Sequence, residues 1–237
     1  MNKNLINVPH DVRGVFKNRK NRFLGEVVIS ETGSVEEVHI SDPGRLEEIL
    51  YPGNEVLLKE AKSENRKTDW TLLAGKVRGQ WIFVNSGYHR SITENILDDP
   101  DISPFDEFLS YGAEKRLGDS RIDFLLEKES EKIWVEVKGC TLAQNSKALF
   151  PDAPTKRGKR HVEELIKVVN KENIFGALIF LVFRSDASCF KANEKQDPSF
   201  AKTFEKGVDA GLDVHPIKLK YDGHTIEYIG EIPLCEG

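Results

Sequence analysis

The chain has 237 residues, 39% hydrophobic, 31% charged and 9% aromatic, a mixture that excludes a disordered, collagenous or membrane-embedded protein. Thirty-four basic against 39 acidic residues give a formal charge of −5. That excludes a whole-molecule basic field, so any nucleic-acid contact must be made by a local patch.

Residues 1–85 read as β structure. Arg22–Ser30 and Val35–Ile40 are extended runs on either side of the turn Thr32-Gly33-Ser34. Ser41-Asp42-Pro43-Gly44 breaks the chain. Arg45–Leu50 reads as a short helical stretch, and Tyr51-Pro52-Gly53 as a further turn. Glu55–Glu60, Thr68–Arg78 and Trp81–Val84 supply the remaining strands. Short strands at this spacing predict a small barrel, OB-like in character.

After Asn85-Ser86-Gly87 the pattern changes, and residues 86–237 read as a second, α/β domain. Ser91–Leu97 predicts a short helix opened by a Ser cap, and Phe108–Arg116 a strand. Ser120–Glu127 and Lys132–Lys138 form two strands joined by the polar turn Lys128–Glu131. Gly158–Lys171 predicts an amphipathic helix, with Val162, Leu165, Ile166 and Val169 on one face. Gly176–Phe183 is a continuous apolar strand suited to a sheet centre. Pro198–Ala210 predicts a helix, and Leu212–Lys220 and Thr225–Ile229 the last strands. Residues 1–85 carry 13 basic and 12 acidic side chains, the remainder 21 and 27.

Cys140, Cys189 and Cys235 lie far apart and make neither a metal-ligand cluster nor an even disulfide framework. The opening MNKNLINVPHDVRG lacks the apolar core of a secretory signal, and no run reaches the roughly 18 apolar residues of a membrane span. The expectation is a soluble cytoplasmic protein with reduced thiols and no membrane partner, and with Cys140 as a small buried residue.

The chemistry concentrates in the central hairpin. Alternation puts Ile133, Val135 and Val137 on one face and Trp134, Glu136 and Lys138 on the other. If the strands pair antiparallel, Asp123 lies beside Glu136. Two neighbouring carboxylates suit a hard divalent cation such as Mg²⁺. A lysine on the same face suits phosphodiester hydrolysis, orienting water and stabilising charge on phosphorus. The bare pattern also fits an exposed hairpin with ordinary surface charges. Against that, Asp123 sits among Ile122, Phe124, Leu125 and Leu126, an awkward place for an unpaired charge.

The segments DPGRL (Asp42–Leu46), SRIDFLLE (Ser120–Glu127), WVEVKGCTL (Trp134–Leu142) and ALFPDAPTKRGKRH (Ala148–His161) resemble the sugar fermentation stimulation protein A family, in that family's order. The resemblance implies an α/β (α+β) architecture. An OB-like barrel is followed by a restriction-endonuclease-like PD-(D/E)XK domain with a mixed central sheet flanked by helices. It implies DNA binding and, for bacterial members, a link to the regulation of sugar-metabolism genes. By that match Asp123, Glu136 and Lys138 take the catalytic D, E and K roles, Asp123 and Glu136 being the metal ligands for Mg²⁺ or Mn²⁺. Ile122 stands where the superfamily's name places proline. Glu94 is the candidate third metal ligand from the preceding helix, and it equally reads as a solvated helix charge.

Two basic segments suit a polyanion. Lys156, Arg157, Arg160 and His161 open the amphipathic helix, where phosphate is favoured by the dipole. The same residues can be a solvated first turn with Arg160–Glu164 and Glu163–Lys167 pairs. Arg13, Lys17, Arg19, Lys20 and Arg22 run without an acid, interleaved with Phe16 and Phe23, and suit single-stranded or flexible nucleic acid. They also fit a solvated N-terminal arm. Arg45 and Arg121, in the resembling blocks, complete the candidate nucleic-acid contacts. His10, His89 and the tryptophans read as structural. Three functions follow: a DNA-binding protein with a nuclease-like metal site, an active Mg²⁺- or Mn²⁺-dependent nuclease, or a regulator sensing a sugar or protein through the barrel. Oligomeric state is not encoded in any pattern here.

Overall fold

A computed structural model of the chain describes residues 2–61, 67–169 and 171–236. Strands β1 (Lys3–Asn7), β2 (Val12–Asn21), β3 (Leu24–Ile29), β4 (Val35–His39), β5 (Glu55–Glu60), β6 (Trp70–Val77) and β7 (Gln80–Phe83) come first. Five of them close a barrel in the order β4-β3-β2-β5-β6, with β4 returning parallel to β6 at Val38↔Trp70 and His39↔Thr71. That is the OB topology. Its interior is filled by side chains that alternate inward, among them Phe16, Val27, Val38, Ile40, Leu58 and Leu72.

Arg45–Leu50 is not a helix. Its Leu50 N–H closes a single α-type bond to the Leu46 carbonyl at 2.7 Å, and Leu46 itself takes a left-handed φ of 53°. One turn followed by Pro52 is too short to propagate.

A 3-10 turn at Ser86–Tyr88 leads into helix α1 (His89–Leu97). The predicted Ser91 cap is corrected: Asn85 caps the turn through Gly87 N–H, and Ser91 lies inside the helix. Strands β8 (Ser110–Leu117), β9 (Ser120–Glu127) and β10 (Lys132–Cys140) follow, then the short β11 (Leu142–Gln144) and β12 (Lys147–Phe150). Helix α2 (Lys156–Val169), β13 (Ile174–Val182), β14 (Cys189–Ala192), α3 (Pro198–Asp209), β15 (Asp213–Tyr221) and β16 (Thr225–Glu231) complete the chain. The predicted end of α2 extends over residue 170, which lies outside the described residues.

The central sheet runs β15-β13-β10-β9-β8. It is mixed: β13 is parallel to both β10 and β15, whereas β9 is antiparallel to β10 and β8. Ala177–Val182 of β13 are all buried, as a strand covered on both faces must be. One face packs with α1 through Ile133, Val135, Ile179, Ile92 and Ile96. The other packs with α2 and α3 through Phe180, Val162, Leu165, Phe200 and Phe204. This sheet with its flanking helices is joined edgewise to the barrel by Tyr221↔Trp81. The first strand, β1, pairs antiparallel with β16, across nearly the whole chain length.

The expectation of three reduced thiols is corrected. Cys189 in β14 forms a disulfide with Cys235 near the C-terminus, while Cys140 is free and buried. The two cysteines are drawn together because Leu234 bridges Phe190, whose ring is buried against Phe180 at a centroid distance of 4.1 Å. Among the described residues no helix is long and apolar enough to cross a membrane.

Candidate metal centre and nucleic-acid interface

Strands β9 and β10 pair in register from Glu127↔Lys132 to Phe124↔Val135. There the ladder stops, and Asp123 Oδ2 accepts the Val137 N–H at 2.8 Å in its place. The carboxylate is thereby fixed beside Glu136. Glu136 is almost fully enclosed, with 1% of its surface exposed. Its Oε1 accepts from both Lys138 Nζ and His161 Nδ1. Its Oε2 is buried and finds no hydrogen-bond partner.

The electrostatics follow from this enclosure. Burial, reinforced by repulsion from Glu136, pushes Asp123 up to about 6, against the opposing pull of Lys138 and the Val137 N–H. Burial alone would also raise Glu136, but Lys138 and His161 outweigh it and hold this carboxyl below its ordinary value. A buried carboxylate oxygen without a partner costs free energy unless something positive meets it. An orphaned oxygen beside a second carboxylate is what a divalent cation would satisfy, so the residues present fit such an ion. Among the described residues no group of three or more His, Cys, Asp or Glu side chains gathers as a metal cluster. Glu94 pairs with Arg90 on its own helix at 2.9 Å.

His161 is not a surface phosphate contact. It is buried, with Nδ1 on Glu136, and Arg157 Nε donates to its Nε2 at 3.4 Å. The signal was present in the sequence: His161 adjoins Val162 and precedes Leu165 by one turn, on the apolar stripe of α2. The Thr155 hydroxyl caps α2 through Gly158 N–H at 3.0 Å, and Asp197 Oδ2 in turn holds Thr155 N–H at 2.8 Å. Arg160 Nε reaches Ser120 Oγ at 3.3 Å rather than Glu164. Glu163 and Glu164 pair with Lys159 and Lys167. His89 packs on Phe183 and lies where any Cβ on Gly139 would stand, 2.4 Å away. Burial, with Lys138 adding to it, lowers the ring to about 4.

The N-terminal basic run divides. Arg13 and Lys17 are exposed on β2, and Phe16 is core. Lys20 pairs with Glu26 and Glu37 at 2.8 and 2.7 Å. Arg19 turns onto backbone carbonyls: Gly44 and Arg45 at 2.7 Å, Arg22 at 2.6 Å and Asp42 at 3.2 Å. It therefore clamps the β2–β3 hairpin tip to the DPGRL loop. Arg19→Ala is expected to destabilise the protein by about 2 kcal/mol, read by urea denaturation, because several charge-assisted bonds are lost together. Arg45 is exposed. Arg121 of β9 pairs with Glu114 of the neighbouring β8 at 3.4 Å.

The DPGRL loop is a clasp between domains. Asp152, following β12, accepts the Leu46 N–H at 3.2 Å. Its carboxylate comes so close that a Cβ on Gly44 would stand 2.5 Å from it. Burial and the nearby Asp152 raise Asp42 to about 6, the Gly44 N–H opposing them. Neither carboxylate was singled out from the sequence, because each matters only once the domains meet. The same junction forms a cleft of about 510 Å³ that collects Arg22 from the barrel with Lys156 and Arg157 from α2. Two basic segments more than 130 residues apart in sequence thus line one cleft, whose lining includes Gly139, next to Lys138 in sequence.

An OB barrel joined to a nuclease-like domain with paired strand carboxylates and a lysine defines the class. The family described as the sugar fermentation stimulation protein RE domain matches residues 87–225, and the SfsA N-terminal OB domain matches residues 18–84. Sugar fermentation stimulation protein homologs of Methanococcoides burtonii and Thermotoga neapolitana are 45% and 44% identical, over 98% of this chain and 95% and 98% of theirs. The structure of Pyrococcus furiosus SfsA in complex with Ca²⁺ superposes with a TM-score of 0.88 at 28% identity, covering 99% of this chain and 100% of that one. The chain belongs to the sugar fermentation stimulation protein family.

Proposed function

We propose that this protein binds DNA and holds a divalent cation, Mg²⁺ or Mn²⁺, in a nuclease-like site at Asp123 and Glu136. The observation that carries the reading is the buried, unpartnered Glu136 Oε2 beside Asp123. The Ca²⁺ in the Pyrococcus furiosus relative supports divalent chemistry in this fold. Arg22, Lys156 and Arg157 supply the cations for phosphate in the adjoining cleft. With about four phosphates neutralised, log K for duplex DNA is expected to fall against log salt with a slope of roughly −3 to −4. A flat response would remove the cleft from the account.

The position of Lys138 favours a second reading, hydrolysis of phosphodiester bonds. A divalent cation, when bound, polarises the phosphate and acidifies a water. Asp123 and Glu136 would hold that ion, His161 fixes Glu136 through its Oε1, and Lys138 would place a positive charge at the reacting face. The test is a panel of single- and double-stranded DNA and RNA with Mg²⁺, Mn²⁺ or chelator. Cleavage is expected only with metal, and Lys138→Ala is expected to slow it about 100-fold or more with metal affinity changed only a few-fold. No cleavage on any substrate would leave the site a binding site alone. No observation favours a sugar sensor, since the barrel interior is filled by apolar side chains.

A further inference from the structure

We propose that the interdomain cleft is a nucleobase site in which Phe23 stacks on one unpaired base, so that the protein's preferred ligand is single-stranded nucleic acid. The inference rests on the proposed nucleic-acid function and names the ligand class for it.

Phe23 is a large apolar side chain with 49% of its surface exposed. It stands at the tip of the β2–β3 hairpin and lines the cleft together with Arg22. Its place is not that of a loose tip. Asn21 Oδ1 accepts the Phe23 N–H at 2.9 Å, the Phe23 carbonyl accepts from Ile40 N–H at 3.0 Å, and Arg19 grips the neighbouring Arg22 carbonyl. Phe23 belongs to neither hydrophobic core cluster. It does supply a preorganised stacking surface at little entropic cost.

Lys156 and Arg157 line the same cleft, as do Gly139 and Cys140. Cys140 lies two residues beyond Lys138 on the same strand face, about 7 Å along β10. A strand whose phosphate sits at Asp123 and Glu136 therefore has a neighbouring nucleotide within the cleft, its backbone against the cations and its base toward Phe23. A paired base is stacked within its own helix and cannot turn onto a protein ring. Only an unpaired or extruded base can make this contact. Stacking is tolerant of sequence because every base presents a π-face, so no base preference is expected from Phe23.

The test measures binding of the full chain to a fluorescent single-stranded oligonucleotide and to the duplex of the same sequence, in Ca²⁺ and at fixed salt. Wild type, Phe23→Ala and Phe23→Trp are compared, with thermal melting to confirm folding. The wild type is expected to prefer the single strand. Phe23→Ala is expected to weaken single-strand binding roughly 5- to 150-fold and to change duplex binding less than about twofold. Phe23→Trp is expected to restore it, with indole fluorescence quenched on binding. Equal loss for both forms, or no loss for the single strand, overturns the stacking site while leaving DNA binding intact. A wild type that binds neither form overturns the proposed function and this inference with it.

Discussion

Asp123→Asn is expected to lose the divalent cation and, in the same protein, to raise the stability of the metal-free form. The two effects have one cause. Burial and Glu136 push the Asp123 carboxyl up to about 6, whereas the unfolded chain titrates near ~4. The folded state therefore disfavours the charged carboxylate. Its contribution is fully present below about pH 4 and is lost as pH rises through about 6. At pH 8 the metal-free wild type bears a penalty of about 2–3 kcal/mol at this residue. The neutral amide removes that penalty, and melting is expected to rise by about 4–12 °C. Asp42, raised in the same way, keeps part of the pH slope in the variant. Metal affinity should fall about 100-fold or more, since even partners of metal ligands cost 10–100-fold. Calorimetric melting with chelator and with excess Mn²⁺ reads both effects: the cation should stabilise wild type and leave Asp123→Asn unmoved. A variant that melts lower than wild type in chelator contradicts the electrostatic account.

Loss of the Cys189–Cys235 disulfide is expected to cost about 4 kcal/mol. The sequence separation is 46 residues, and closing a loop of that length removes entropy from the unfolded ensemble and raises its free energy by about this much in the chain-entropy model. For a chain of this size the melting temperature should fall by about 8–16 °C. The closed segment includes α3, β15 and β16, and its end packs over Phe190. Cys235→Ser and wild type in strong reductant should therefore melt together, both well below the oxidised protein. If reduction leaves the melting temperature unchanged, the covalent link is not what holds the C-terminal segment.

The central hairpin was legible in the sequence because its information is local. The alternation of Ile133, Val135 and Val137 against Trp134, Glu136 and Lys138 follows from a period of two, and the two hydrophobic clusters divide along that alternation. The parallel strand β13 was legible for the opposite reason, an unbroken apolar run. Strand β1 was not, since its partner β16 lies at the other end of the chain. Strand β2 was masked by its own surface: among Val12–Asn21 only Gly14 and Phe16 are buried, and the charges read as an arm. The disulfide needed β14 and the C-terminal tail in place before either cysteine had a partner. Residue type identified Asp123, Glu136 and Lys138 as a set. It placed His161 and Arg19 on phosphate, whereas packing turns one onto Glu136 and the other onto carbonyls.

The central claim is that the buried Glu136 Oε2 and Asp123 form a divalent cation site. It is tested most directly by titrating Mn²⁺ into the metal-free protein and into Glu136→Gln by isothermal calorimetry. The account predicts one site in wild type, tighter as pH rises through about 6, and no measurable site in Glu136→Gln. Wild-type protein that takes up no Mn²⁺, or Glu136→Gln that binds it as tightly as wild type, would contradict it.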